Sequence, residues 1–229
     1  MLSKKKLIIP LIILSVIFSG LLINAANSHT SLSINDILKA AELKKNFNPT
    51  EEDNAIAIEV NGAGITNGEI ELQKNQMMAV SSMDEKTAYK AVIKELIKNR
   101  ALYKKAEELN LVPTFEEAKK ASLEEWEAVK QDPNALDNMN LYIDALGLTE
   151  DQYWNEYHVY ETQRYLAAEL VKKGITDEAV NRGELPKVKV HTKDTSKQYK
   201  DYINNYMKDF ESKTQIKVKN EKYLEYLND

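Results

Sequence analysis

The chain has 229 residues, with 36 acidic, 31 basic, three histidines, no cysteine and a net charge of −5. The lack of cysteine excludes disulfides, cysteine-ligated zinc, thiol nucleophiles and a lipid on an N-terminal cysteine. Acids and bases are interspersed with no basic face, which argues against nucleic acid as a partner.

Lys4, Lys5 and Lys6 precede residues 7–23, an uncharged apolar run closed by Asn24, Ala25 and Ala26. A positive start, an apolar run and small residues at its end form a secretory-signal pattern. The run also reaches the lower edge of the ~20 residues (range ~17–25) that span a bilayer. Residues 1–26 are therefore expected to be a cleaved signal peptide or an N-terminal membrane anchor. Either way the rest of the chain works outside the cytoplasm, secreted or held on the outer face of the cytoplasmic membrane. Without residues 1–26 the chain has 28 basic and 36 acidic residues, a net charge of −8.

Residues 27–54 read as a flexible lead-in and linker, with a short helix possible over 34–43. Residues 55–60 alternate weakly and are β-branched, and Asn61-Gly62 after them signals a hairpin turn to a second short strand ending at Ile65. Thr66 and Glu69 fit a capping box for a helix to about Val80. Asp84 can cap the next helix, whose apolar face includes Tyr89, Val92, Ile93, Leu96 and Leu102, ending at Asn110 before Pro113. Thr114 and Glu117 open another, with Trp126 and Val129. Residues 132–134 read as a loop, followed by a helix from Ala135 that stops at Gly147. Thr149 and Gln152 open a helix expected to end at Gly174, with a short one from Thr176 to near Gly183. Residues 184–195 carry no clear signal. A helix is expected over 196–212, a short strand over 216–218, then a tail with Tyr223, Leu224 and Leu227.

Signals for chemistry are sparse. His29, His158 and His191 form no ligand pattern, and each reads as incidental. The carboxylate pairs Glu116-Glu117, Glu124-Glu125 and Glu150-Asp151 sit in first helical turns or on polar faces, where capping and dipole complementation account for them. No catalytic, cofactor or metal site is expected. Met77, Met78 and Met83 cluster near one helix end, and Trp154, Tyr157 and Tyr160 recur three apart. Both groups suit a core, and both suit an apolar groove for segments of other chains, where methionine repacks readily.

Three stretches carry a family resemblance. Residues 58–69, IEVNGAGITNGE, resemble the "V-N-G-x-x-I-T-x-x-E" opening of the N-terminal chaperone domain of SurA/PrsA-type extracytoplasmic foldases. Residues 92–109 resemble its long "LI-x-x-x-LL-x-x-x-A" helix. Residues 148–154 and 174–180, LTEDQYW and GITDEAV, resemble its later segments in order and spacing. The family's parvulin prolyl isomerase domain follows the last of these, but here only residues 182–195 precede the next helix. Isomerase activity is therefore not implied. The resemblance implies that residues 197–218 return to the domain and that residues 216–218 pair with the strand around 57–60.

The expectation is a mostly α multi-helix domain over residues 55–229, with a minimal two- or three-stranded β element joining its start and end. Its expected function is binding of unfolded or exported polypeptides in an apolar groove formed by Met77, Met78, Met83, Trp154, Tyr157 and Tyr160, without catalysis. The membrane would be a partner only through an uncleaved N-terminal segment. A cell-surface module for one folded partner and a residual prolyl isomerase are the rival readings.

Overall fold

The computed structural model describes residues 33–188 and 192–227. The expected signal or anchor segment of residues 1–26, His29 and His191 lie outside the described residues. The fold is mostly helical with a small three-stranded antiparallel sheet. Among the described residues no helix is long and apolar enough to cross a membrane.

Strands β1 (Ile56–Val60) and β2 (Ala63–Thr66) form the hairpin that Asn61-Gly62 predicts. Both turn residues have positive φ, 47° and 83°, as a two-residue turn with the twist of the strands requires. β3 (Ile216–Val218) pairs with β1 in the expected place, Ile58 opposite Val218 and Val60 opposite Ile216, giving the order β2-β1-β3. One sheet thus joins residues 56–66 to residues 216–218.

Local capping sets most helix starts. At α3 (Asn67–Val80) the Thr66 hydroxyl accepts from the Glu69 N–H at 3.2 Å, and the Glu69 carboxylate accepts from the Thr66 N–H at 2.9 Å. Asp84 caps α4 (Glu85–Glu108), and the Thr114–Glu117 box opens α5 (Phe115–Val129). The expected loop at 132–134 is instead the first turn of α6 (Pro133–Leu146). Asp132 caps it, and Pro133 occupies the first helical turn, where its missing N–H costs nothing. Gly147 ends it at φ 74°.

The long segment 150–181, called α7, begins as Glu150–Gln152, passes through a π-turn at Tyr153–Tyr157 and continues as His158–Asn181. The expected break at Gly174 does not occur. Val171, Ile175 and Ala179 bury one face there, and this packing outweighs the ~1 kcal/mol helix cost of a glycine. The last helix, α8 (Lys193–Lys213), is longer than expected because Thr192 and Thr195 cap it three residues earlier.

Within the expected lead-in, the short helix possible over 34–43 is observed, and this stretch is packed rather than flexible. From Ile34 onward it belongs to the fold: α1 (Ile34–Lys45) buries Ala40 and Ala41, and Gln76 of α3 donates to the Ala40 carbonyl at 2.9 Å. Thr50 and Asp53 form a capping box for the short α2 (Glu51–Asn54).

Among the described residues, three clusters make up the core. The first joins the sheet to α3, α4 and Tyr223. The second is aromatic, between α1, α5, α6 and the π-turn. The third joins the C-terminal half of α4 to α7 and to Met207 of α8. The tail, a 3-10 turn over Glu221–Tyr226, completes the first cluster. The Glu71 carboxylate on α3 accepts hydrogen bonds from the hydroxyls of Tyr89 and Tyr223 and from Lys222, the last at 2.6 Å.

Burial pushes the Glu71 carboxyl up, but the bonds from Lys222 and Tyr89 and the charge of Lys74 outweigh it and hold it below its ordinary value. A carboxyl depressed in the folded state contributes stability above the unfolded value, about 4.3, and loses it as pH falls through the folded value. Glu71→Gln is therefore expected to lower stability at neutral pH and to flatten its fall below about pH 4.3. Urea unfolding across a pH series measures this; parallel acid limbs would refute it.

Candidate functional site

The six residues expected to form a groove do not share one surface. Met77 is 1 % exposed, inside the first core cluster, and Met83 packs partly against it. Met78, next along α3, is exposed. Trp154 is 1 % exposed within the aromatic cluster, with Tyr157 at its edge. Tyr160 is exposed, its ring tilted against Phe115 at 5.7 Å. Methionine and aromatic spacing alone does not separate a core face from a surface face, and here most of the signal was core.

A cleft does open between α1 and α3. It encloses about 540 Å3 and is lined by Lys39, Glu42, Leu43, Asn46 and Phe47 on one side and Leu72, Asn75 and Ala79 on the other. The Gln76 side chain donates to the Ala40 carbonyl and ties the two helices together, while Ala41 belongs to the aromatic cluster. Phe47 lies over Gly68 at the start of α3, so closely that a Cβ there would be 2.9 Å from the ring. Leu43, Phe47, Leu72 and Ala79 are the apolar members of the lining, and the rest are amides and one charge of each sign. This arrangement suits an apolar segment with a hydrogen-bonding edge. None of the cleft residues was singled out from the sequence; the one available signal was the short 34–43 helix preceding Phe47.

Sequence reasoning also missed a buried polar pair between α5 and α7. His158 is 1 % exposed, and its Nε2 lies 3.0 Å from Oε2 of Glu125, a residue read as lying on a polar face. The imidazole stacks on Tyr153 at 5.3 Å and meets Trp154 edge-on at 4.8 Å, and Trp154 stacks on Trp126. Burial pushes the Tyr142, Tyr153 and Tyr157 hydroxyls well above the usual range, so they stay protonated at neutral pH. At the π-turn the Trp154 carbonyl is satisfied by the buried Ser122 hydroxyl at 2.8 Å. Glu125 Oε1, Trp154 Nε1 and Thr162 Oγ1 are buried with no hydrogen-bond partner. The pair is walled in by aromatic rings, which makes it part of the core. Among the described residues no group of three or more His, Asp or Glu side chains could hold a metal ion.

No family model, curated protein or solved structure matches the chain.

Proposed function

We propose that this protein is a non-catalytic, extracytoplasmic holding protein that binds unfolded polypeptide segments in the cleft between α1 and α3. The observation that carries this reading is the cleft itself, whose lining combines four apolar residues with two amides and one charge of each sign. The resemblance of residues 55–180 to the chaperone domain of SurA/PrsA-type foldases supports it, as does the short connection where that family carries its isomerase. Binding would mask apolar client surface reversibly, with no nucleotide and no covalent step.

The test is suppression of aggregation of a denatured client by the protein lacking residues 1–26. Leu43→Asp places a charge on the cleft wall and removes one apolar contact of ~1.5–3 kcal/mol, so client binding should weaken about tenfold or more. Tyr160→Ser, on a separate exposed site, should leave it unchanged. No suppression at several-fold molar excess, or equal loss in both variants, would remove this reading. Capture of a single folded partner at fixed stoichiometry would replace it with a dedicated interaction module.

A further inference from the structure

The chain holds two Asn-Gly pairs six residues apart, Asn61-Gly62 and Asn67-Gly68, and the fold places them in opposite environments. Asn-Gly is the sequence most prone to cyclise, because glycine has no side chain to hinder attack by its own backbone nitrogen. We propose that Asn61 is a site of spontaneous deamidation in the folded protein and that Asn67 is protected. In the reaction the Gly62 nitrogen attacks Cγ of Asn61, a C–N bond forms, the Cγ–Nδ2 bond breaks, and ammonia leaves with the amide proton. Water then opens the succinimide. Opening at Cγ gives aspartate, and opening at the main-chain carbonyl gives isoaspartate. Nothing is oxidised or reduced, and water is the only co-reactant.

The local structure favours the step at Asn61. The residue is half-exposed at the tip of the β1–β2 hairpin, and a Cβ at Gly62 would find nothing within 4 Å, so the turn has room to distort. Asn61 Oδ1 accepts the Gln215 N–H at 2.9 Å. Negative charge gathers on this oxygen in the tetrahedral intermediate, and a fixed donor there stabilises it.

Asn67 also has a donor on its Oδ1, but it lacks the room to distort. It is buried in the first turn of α3, its Nδ2 donates to the Glu52 carbonyl at 2.8 Å, and its Oδ1 accepts from Asn220 at 2.8 Å. Gly68 is wedged against Phe47 and Asp53. Cyclisation there would first require local unfolding of this packed region.

The site lies on the closure of the domain. Besides the side-chain bond, the Asn61 N–H donates to the Gln215 carbonyl at 2.9 Å. Aspartate keeps the acceptor and the backbone. Isoaspartate inserts a carbon into the backbone between Asn61 and Gly62, which shifts the turn and releases the chain entering β3.

The full chain is aged in warm, mildly alkaline buffer, digested with trypsin and sequenced by fragment ions across the peptide 46–74. A gain of about 1 Da should accumulate at Asn61 about tenfold or more faster than at Asn67 when folded, and at similar rates in urea, where local protection is lost. In the aged sample the Gln215 amide should lose hydrogen-exchange protection, whereas Asn61→Asp should retain it. Equal rates at both sites in the folded protein, or a gain at Asn61 only in urea, would overturn the assignment.

Discussion

Tyr223→Ala should destabilise the protein by about 3–5 kcal/mol, the range for deleting a buried aromatic ring. The residue lies in the short turn that follows β3, outside any strand or α-helix. Here it is 1 % exposed and packs with Ile58, Val60 and Tyr89. Its ring sits 6.1 Å from that of Tyr89, and its hydroxyl donates to Glu71 at 3.1 Å. Truncation leaves a cavity under the sheet and removes the anchor that follows β3, since the Lys219 and Asn220 N–H groups both donate to the Ala57 carbonyl just upstream. Tyr223→Phe keeps the packing and loses only the bond to a carboxylate, so it should cost about 1.5–3 kcal/mol at most. Thermal or urea unfolding gives both values. A cost below about 1 kcal/mol for the alanine variant would mean that the tail is not part of the cooperative core.

Features with short-range causes were legible in the sequence. The capping boxes at Thr66, Thr114 and Thr149 depend on residues three apart, and each marks a helix start. Asn61-Gly62 dictates its turn because few residues adopt two successive positive φ angles. The pairing of residues 216–218 with β1 is long-range; it came from the family resemblance, and the paired strands are observed.

What was misread depends on a partner that the local sequence does not name. Gly174 looks like a helix stop until Leu102, Ala106 and Met207 bury the face around it. Residues 34–43 show as a short helix in the sequence, but their low apolar content hides that it packs into the fold, for which two alanines suffice. Glu125 looks solvated beside Glu124, yet the neighbouring helix carries His158 at the matching height. The cleft was invisible for the same reason, being the gap left between α1 and α3.

The buried pair leads to the second large effect. His158→Ala should cost about 3–5 kcal/mol, because it leaves the Glu125 carboxylate inside the protein without its partner. It also removes the ring contacts to Tyr153 and Trp154. That cost is not the net worth of the pair. Both groups were desolvated to form it, and Glu125 Oε1 still lacks a hydrogen bond. Glu125→Leu combined with His158→Phe should therefore recover most of the lost stability, since apolar replacement of a buried pair is often neutral or stabilising by about 1–4 kcal/mol. Thr162, one turn further along α7, makes an independent check. Its hydroxyl is buried and unpartnered, so Thr162→Val, nearly the same shape, should be neutral or stabilising by about 1 kcal/mol. Urea unfolding of the single and double variants closes the cycle. If the double variant is as unstable as His158→Ala, the pair sets the geometry of the π-turn beyond its own energy, and the Ser122 bond to the Trp154 carbonyl is the next contact to remove.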